Sequence, residues 1–482
     1  MRKAGYVKKL ICLIAMTCLM VSCGDETVAE TAVVKTAKET LSMLEEADLS
    51  YEVPENLPGI LVDIRGYGEN EKKEAIFISA NLPSSFFVKS KETGLTVYSG
   101  HIKVRESTED VDGKVTGVGD FTDLTNVGDY YIETDILGRS HEFPIIEDRL
   151  SKLLAESLQY FKEFHCNHYG ETAFEDNLDL TLDVTGGWHT DQYGGKDVVT
   201  GCNTAVDLMT AYEYHPNSFE DGNENKIPDV LDEVKYEMDW LLKMQNPETG
   251  GVYTSVSLQD TKSDRSELVL GGETTKATAY FCVAMTKFST IYRPFDVSYA
   301  TTCQVAARKA WNCLELNKDI VSPEQRFRAA AELYRVYGTE SCHRVIKDYL
   351  KNNSKASFDA RITLDGAIAY LSTKRNTDRT YCANLMESFM DRTEGKVATA
   401  NKSRYMIEYQ DMSNTEILRN TTELVVLDTV IPNVEYENLE RNYLHYMCGR
   451  NEISKDLLFT EEENPDFYAE LVVLISKLSE NK

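Results

Sequence analysis

The sequence predicts a multidomain protein in which a β-sandwich is followed by a long all-α domain. Residues 57–146 contain short β-branched or aromatic runs separated by Gly, Pro, Asn or Asp, which is typical of sandwich strands. Beyond Asp148, apolar residues recur at helical spacing to the end of the chain, as at Leu231, Val234 and Met238. We therefore predict a signal segment over 1–22, a tether over 23–54, a sandwich over 55–147 and a helical domain over 148–482.

The N-terminal segment has the features of a bacterial secretion signal. Basic residues precede an apolar run from Leu10 to Val21, which is too short to span a membrane as a helix. The run ends in Ser22-Cys23, which resembles a lipobox in which Cys23 becomes the lipidated first residue. The acidic pair Asp25-Glu26 resembles the signal that sends some Gram-negative lipoproteins to the cell surface. We expect a lipid-anchored protein of the outer membrane; the alternative is an ordinary cleaved signal peptide.

The sandwich and the helices are each supported by local signals. The Glu-, Thr- and Ala-rich stretch from Gly24 to Tyr51 is interpreted as the tether. The expected strand runs are Ile60–Ile64, Ala75–Ile78, Phe86–Val88, Leu95–Tyr98 and Tyr130–Ile132. Pro228 is placed to begin a helix over 227–245, and Ser322-Pro-Glu-Gln325 has the form of a capping box for a helix that Gly338 ends. Periodicity alone leaves a helical bundle, a solenoid and a closed barrel open.

The net charge limits the partners of the protein. The 482 residues carry a formal charge of −28 at pH 7, which argues against binding to nucleic acid or to an anionic membrane surface. Such a charge suits a neutral ligand, or it simply keeps the protein soluble. We therefore expect no nucleic-acid partner, and contact with the membrane only through the lipid anchor.

Four motifs follow one another in the helical domain. They are Asp183–Lys196 (DVTGGWHTDQYGGK), Asn225–Glu233 (NKIPDVLDE), Met244-Gln245 and Gly250–Tyr253 (GGVY). In order and spacing they resemble glycoside hydrolase family 9, the cellulases and related β-glucanases. The resemblance continues through Thr275–Tyr280, Ala329–Tyr334, Met412–Asn414 and Tyr443–Asn451. It implies an (α/α)6 barrel of the six-hairpin glycosidase type behind an Ig-like β-sandwich that holds no catalytic residue.

Two carboxyl groups are expected to carry the chemistry. The family inverts the anomeric centre with an aspartate base and a glutamate acid near the C-terminus. An ungapped alignment places Thr190 and Tyr193 where the family has its two aspartates, so Asp191, the one carboxylate between Trp188 and Lys196, is the candidate base. Aligning Ala469 and Leu471 with the family's last motif makes Glu462 the candidate acid.

The substrate is expected to be a carbohydrate, namely a β-glucan or an oligosaccharide. Trp188 is the candidate sugar platform, and His189, Tyr193 and Tyr253 are the other candidate substrate-binding residues. Residues 452–461 lack the His-Arg pair with which the family grips the scissile sugar, which predicts an open groove and a short or soluble substrate. The alternative is a catalytically impaired protein that binds carbohydrate without turnover.

No cofactor is required, but one loop has the form of a calcium site. The predicted oxygen ligands stand at positions 1, 3, 5, 9 and 12 of an EF-hand-like loop: Asp221, Asn223, Asn225, Asp229 and Asp232. Lys226 occupies position 6, where a glycine is expected, and Asp232 replaces the bidentate glutamate. A structural Ca²⁺ is one interpretation; the other is a hydrogen-bonded helix start without metal.

Overall fold

The computed structural model describes residues 59–105, 113–166, 172–175, 181–260, 266–353, 358, 360–408, 413–459 and 464–480. Cys23 and the predicted signal and tether lie outside these residues, as does Glu462. In the described ranges, no helix has both the length and the apolar character needed to cross a membrane.

The first part of the described chain is a β-sandwich. Its strands are β1 (Ile60–Leu61), β2 (Tyr67–Gly68), β3 (Glu74–Ser79), β4 (Ser85–Ser90), β5 (Thr96–Arg105), β6 (Val115–Asp120), β7 (Gly128–Thr134), β8 (Gly138–Arg139) and β9 (Phe143–Ile146). One sheet has the order β1-β3-β6-β5 and the other β5-β4-β7-β9-β2. The long strand β5 joins the two sheets, because its first half pairs with β4 and its second half pairs with β6.

The sandwich core is aromatic. Phe77, Phe86, Phe121 and Phe143 are all buried between the sheets, and Tyr67 packs edge-on against two of them. Alternation of buried and less buried residues along β4 and β7 places Phe86 and Tyr130 on the inner faces. The apolar and aromatic strand residues from which the sandwich was predicted are therefore mostly the residues that its two sheets bury between them.

Twelve helices lie in the described part of the second domain. They are α1 (Arg149–Tyr160), α2 (Val198–Tyr214), α3 (Asp229–Lys243), α4 (Thr275–Ile291), α5 (Val297–Leu316), α6 (Pro323–Tyr337), α7 (Glu340–Asn352), α8 (Arg361–Leu371), α9 (Arg379–Ala400), α10 (Asn414–Val430), α11 (Val434–Met447) and α12 (Pro465–Glu480). The even-numbered helices pack side by side in the order α10, α12, α2, α4, α6, α8, and α9 packs against both α8 and α10. Each of the odd-numbered helices packs against at least one even-numbered helix.

The inner helices begin at one end, called here the barrel mouth. Thr204 in the first half of α2 donates a hydrogen bond to Asp466 in the first turn of α12, at 2.5 Å. Asn203 of α2 accepts a hydrogen bond from Arg328, in the first half of α6, at 3.0 Å. Contacts between the same ends of three helices require those helices to run parallel.

Local signals place several helix ends correctly. Helix α6 begins at Pro323, the hydroxyl of Ser322 accepts a hydrogen bond from the Gln325 amide at 3.2 Å, and Gly338 ends the helix at φ 69°. The predicted capping box forms only in part, because Gln325 Oε1 has no hydrogen-bond partner. Helix α3 starts at Asp229, directly after Pro228.

The helical domain also contains short strands, which the sequence analysis did not predict. One sheet has the order β11 (Thr181–Asp183), β10 (Thr172–Glu175), β15 (Ser266–Leu270), β14 (Ser255–Asp260) and β12 (Lys196–Asp197). A second pairs β13 (Val252–Tyr253) with β16 (Glu273–Thr274). The first sheet brackets the motif loop 184–195, because β11 precedes that loop and β12 follows it.

Buried charges join the sandwich to the helices. Asp63, between β1 and β2, is fully buried; it accepts a hydrogen bond from Arg149 Nη2 at 2.6 Å, and its Oδ2 lies 2.7 Å from His445 Nδ1. The Ile64 amide donates to the Cys448 carbonyl at 2.9 Å. One sandwich turn therefore contacts both α1 and the end of α11.

Candidate active site

The motif loop 184–195 is held in place by a buried lysine, Lys196, which directly follows it. Lys196 Nζ donates hydrogen bonds to the Val184 carbonyl at 2.5 Å and the Gly186 carbonyl at 3.1 Å, which ties the end of the loop to its start. Gly187 has φ 77°, and a Cβ there would lie 2.6 Å from the Trp240 ring. Glycine is required at that position for both reasons.

Asp191 lies at the exposed tip of this loop. Its Oδ1 accepts hydrogen bonds from the amides of Tyr193 at 2.8 Å and Gly195 at 2.9 Å, so the carboxylate closes its own turn. A side chain on Gly195 would place its Cβ 2.2 Å from Asp191 Oδ2. Thr190 closes the base of the turn, donating from its amide to the Gly195 carbonyl and accepting from the Asp197 amide.

The prediction that Trp188 offers a ring face to a sugar is wrong. Trp188 is 0 % exposed, and its ring packs against Phe161 with centroids 5.2 Å apart. Its indole Nε1 donates to Glu233 Oε1 at 2.8 Å and its amide donates to Glu237 Oε2 at 2.8 Å. Two carboxylates of α3 thus hold the residue inside the domain, so its role is to anchor the loop.

The other predicted substrate-binding residues differ in exposure. Tyr253, in β13, is only 3 % exposed, so the prediction that its side chain contacts a sugar is also wrong. Tyr193 is 74 % exposed at the loop tip. His189 is half-buried, and its Nδ1 lies 2.8 Å from the Gly194 carbonyl oxygen. Only Tyr193 and His189 of the four have surface available to a ligand.

The candidate acid Glu462 falls outside the described residues, but both flanks of its segment are described. Phe459 stacks on Tyr468, with centroids 5.6 Å apart, and lies 5.4 Å from Tyr160. Asn464 Oδ1 accepts a hydrogen bond from the Phe467 amide at 3.2 Å, at the start of α12. Residues 459 and 464 therefore both lie at the barrel mouth.

The segment 161–166 connects the two candidate catalytic regions. The Phe164 ring lies 5.6 Å from Tyr468, while the Phe164 carbonyl accepts a hydrogen bond from the His189 amide at 2.7 Å. The Cys166 amide donates to the Gly187 carbonyl at 2.9 Å. The loop that carries Asp191 and the start of α12 are thus packed against the same short segment.

A charged layer that the sequence analysis missed crosses the barrel below the mouth. Arg361, the first residue of α8, donates to Glu470 Oε1 at 2.8 Å and also pairs with Asp207. Burial raises the pKa of both carboxyls, against the opposing charge of Arg361. The available signal was a carboxylate inside an apolar run, as in Ala205-Val-Asp-Leu-Met209.

In the predicted calcium loop, the aspartate oxygen atoms accept hydrogen bonds from amides of the loop itself. Asp221 accepts hydrogen bonds from the amides of Asn225 at 3.1 Å and Lys226 at 2.7 Å. Asp232 Oδ2 accepts from the side-chain amides of Asn223 at 2.8 Å and Asn225 at 2.7 Å. Asp229 accepts from the Gly222 amide at 3.1 Å. This oxygen-rich donor set suits Ca²⁺.

Among the residues that the structure describes, no group of three or more His, Cys, Asp or Glu side chains could hold a metal ion.

Sequence comparisons identify both domains. The sequence model of Glycosyl hydrolase family 9 matches residues 151–460, and that of the cellulase N-terminal Ig-like domain matches residues 55–139. Endoglucanase D of Acetivibrio thermocellus is 28% identical over 452 residues, covering 80% of this chain and 70% of the relative. A cellodextrinase of Butyrivibrio fibrisolvens is 27% identical over 292 residues, covering 54% and 52% of the two chains.

Solved structures agree on the architecture. A metagenome-derived family 9 endoglucanase superposes with a TM-score of 0.77 at 22% identity, covering 87% of this chain and 98% of the other. A family 9 protein of Bacteroides ovatus gives a TM-score of 0.73 at 16% identity, with 88% and 99% covered. These likenesses confirm the predicted fold, an Ig-like sandwich before an (α/α)6 barrel. The chain belongs to glycosyl hydrolase family 9.

Proposed function

We propose that this protein hydrolyses β-glucan by an inverting mechanism, with Asp191 as base and Glu462 as acid. The observation that supports this best is the contact of both catalytic regions with segment 161–166 at the barrel mouth. This shared contact supports the assignment of both candidate carboxyl groups to one end of the barrel.

The proposed reaction divides the proton transfers between these groups. Asp191 accepts a proton from water as the water attacks the anomeric carbon, and Glu462 protonates the departing glycosidic oxygen. An inverting pair needs carboxyl groups about 6.5–9.5 Å apart, which leaves room for the water. The aromatic rings of Phe459, Phe467 and Tyr468 lie beside the acid's segment, and an apolar wall favours the protonated acid.

The expected substrates are short or soluble β-glucans. Trp188 and Tyr253 are buried, so the groove has few aromatic platforms on which a long insoluble chain could stack. Relatives of this chain are named as endoglucanases and as a cellodextrinase, which supports a β-glucan as the substrate.

Release of reducing sugar from a soluble mixed-linkage β-glucan and from cellopentaose tests the proposal. Asp191→Asn and Glu462→Gln should each lower kcat by about 100-fold or more, since each removes one proton-transfer partner. Glu461→Gln, the same change one residue earlier, serves as the matched control and should keep activity. Wild-type levels of turnover in either catalytic variant would reject the corresponding assignment.

The alternative function is carbohydrate binding without turnover. It is favoured by one observation: the Asp191 carboxylate is engaged by two amides of its own turn, and Thr190 and Tyr193 occupy the family's aspartate positions. Calorimetric titration with cellohexaose distinguishes the two functions. Saturable binding with no new reducing ends after prolonged incubation supports the alternative.

We also propose a structural Ca²⁺ in the loop 221–232. Asp221, Asn223, Asn225, Asp229 and Asp232 would hold it, and the ion would brace the start of α3. Adding CaCl₂ after EDTA treatment should raise Tm, and Asp221→Ala should abolish that rise. An unchanged Tm on calcium addition would leave the loop as a hydrogen-bonded helix start.

Finally, we propose that lipid on Cys23 anchors the protein to the outer membrane, with the folded part at the cell surface. The sequence Met20-Val-Ser-Cys23 supports this proposal. Labelled palmitate should enter the wild-type protein and not a Cys23→Ala variant, which should fractionate as a soluble protein. Membrane association of the Cys23→Ala variant would contradict it.

A further inference from the structure

A small cavity lies inside the ring of even-numbered helices. It has a volume of about 40 Å³ and is lined by residues of α2, α4, α6, α8 and α10. Asp207 and Arg328 belong to its wall on the side of the barrel mouth, and Glu213 and Lys287 belong to its wall on the far side. The cavity therefore separates the charged layer below the mouth from a second charged group deeper in the barrel.

The deeper group is fully paired. Lys287 Nζ lies 2.6 Å from Glu213 Oε2. Arg335 pairs with Glu213 as well, and its Nε donates to both carboxyl oxygens of Glu332 at 3.1 Å. Both carboxyl groups thus have a cationic partner, and the deeper wall of the cavity needs no further ligand to balance its charges.

The wall on the mouth side carries buried polar atoms without a partner. The Arg328 side chain is 2% exposed, and its Nη2 donates to Asn203 at 3.0 Å and pairs with Asp365 at 2.6 Å. Its Nε and Nη1, however, have no hydrogen-bond partner among the described residues. Asp207, 3% exposed, pairs with Arg361 through Oδ1, and its Oδ2 has no such partner either. Buried polar atoms of folded proteins are almost always hydrogen-bonded, to protein or to ordered water, so these three atoms indicate a ligand in the cavity.

The wall determines which ligand fits. The ligand must accept a hydrogen bond from Arg328, and it carries little net charge, because the four carboxyl groups and three cationic groups in the wall nearly balance. Burial raises the pKa of Asp207, and a water molecule can bind Oδ2 in either protonation state, whereas a halide or a metal cation can bind in only one. A water molecule needs roughly 10–15 Å³ and two to four polar partners, so the cavity has room for about two or three.

We propose that this cavity is an internal hydration site in which ordered water molecules bridge Arg328 and Asp207. Arg328 contacts three other helices: Asn203 of α2, Asp365 of α8 and Tyr280 of α4, whose ring centroid lies 4.2 Å from the guanidinium carbon. Water on the two remaining nitrogen atoms allows a buried arginine to join four helices without an unpartnered N–H group. The inference is independent of the proposed catalytic residues, and it holds equally for a hydrolase and for a sugar-binding protein.

An isosteric substitution tests the proposal in solution. Val283 of α4 lines the cavity, whereas Val473 of α12 is buried and does not line it. Both residues are helical, so a hydroxyl bond to the preceding turn is open to both threonine variants. Beside water the new hydroxyl of Val283→Thr has a further partner, so Tm should stay within about 1 °C of the wild type, and Val473→Thr, the matched control, should lose about 2–4 °C. Equal losses would show that the wall at Val283 is dry, which contradicts the proposal.

A high-resolution crystal structure of the wild-type protein tests the proposal directly. We expect density peaks for water within about 3.2 Å of Arg328 Nε or Nη1 and of Asp207 Oδ2. Two further crystals identify other occupants: bromide gives an anomalous peak where an anion binds, and xenon under pressure enters dry apolar cavities. A bromide peak, a xenon peak, or a cavity without water peaks would overturn the proposal.

Discussion

Lys226 adopts a backbone conformation that suits glycine. Its φ is 73°, in the left-handed region, and its side chain is exposed. For an L-residue with a Cβ this region costs roughly 1–2 kcal/mol, and glycine regains part of that at the expense of greater chain entropy when unfolded. The position is also the one that is glycine in EF-hand loops.

Lys226→Gly should therefore raise the free energy of unfolding by about 0.5–1 kcal/mol, measured by urea denaturation with calcium and with EDTA. Lys226→Ala is the control, because it removes the long side chain but keeps the Cβ, and it should bring no such gain. A Lys226→Gly protein less stable than Lys226→Ala in both buffers would contradict the argument.

The position of Trp188 was not predictable from its neighbours in the sequence. A tryptophan between glycines and polar residues has the local pattern of an exposed loop residue. Its burial depends on Glu233 and Glu237, which lie 45 and 49 residues further along and accept its two N–H groups. These two carboxyl groups reach Trp188 only because α3 packs against the loop in the folded protein.

At the scale of elements, the joint between the sandwich and α1 depends on a buried arginine. Arg149 donates to Asp63 at 2.6 Å and to Glu71 at 3.3 Å, and all three side chains are nearly inaccessible to solvent. Removing one partner of a buried pair leaves a charge without compensation, which typically costs about 3–5 kcal/mol.

Arg149→Met should lower the free energy of unfolding by that amount, as measured by urea denaturation. The exposed pair of Arg139 and Glu142 in the sandwich provides the comparison. Arg139→Met should cost less than about 1 kcal/mol, because exposed pairs contribute little. Equal losses in the two variants would show that burial of the Arg149 pair does not matter.

Helix ends were more predictable than the strands between the helices. Pro228, Ser322-Pro323 and Gly338 act through local geometry, and the structure has helix ends at all three. The strands β10 to β16 are two to six residues long and mostly pair with distant segments, so no local period discloses them.

For the whole molecule, buried carboxyl groups predict how stability varies with pH. Burial raises the pKa of Glu237 to about 8, so at neutral pH the folded protein keeps a proton that the unfolded chain releases near pH 4. Burial lowers the pKa of His445 well below 6.5, so below that pH the unfolded chain binds one extra proton. Lys287 and Arg335 outweigh the burial of Glu213 and hold its pKa at about 2, so stability from Glu213 is lost in acid.

Together, these pKa shifts make the folded protein more stable in mildly acidic than in mildly alkaline solution. From pH 5 to pH 8 the free energy of unfolding falls, because Glu237 keeps its proton only in the folded protein, and His445 opposes this fall only below pH 6.5. Scanning calorimetry should give a higher Tm at pH 5 than at pH 8. In Glu237→Gln, which cannot lose that proton, the difference should shrink; a Tm that rises from pH 5 to pH 8 would oppose the prediction.

Closure of the barrel could not be derived from helical periodicity. The ring requires α2 (Val198–Tyr214) to pack against α12 (Pro465–Glu480), and a bundle or a solenoid has the same local pattern. The family resemblance supplied that long-range information. It could not supply the layer around Arg361, because that layer depends on contacts between helices.

The turn that carries Asp63 also bears on the order of events during synthesis. The sandwich leaves the ribosome before the helical domain, yet two side-chain partners of Asp63, Arg149 and His445, follow 86 and 382 residues later in the chain. Until α11 has been translated and has docked, the Asp63 carboxyl group lacks its contact with His445. The turn that carries Asp63 therefore stays exposed on the newly made sandwich. The sandwich therefore emerges before the helical domain, but its buried contacts are complete only after α11 has docked.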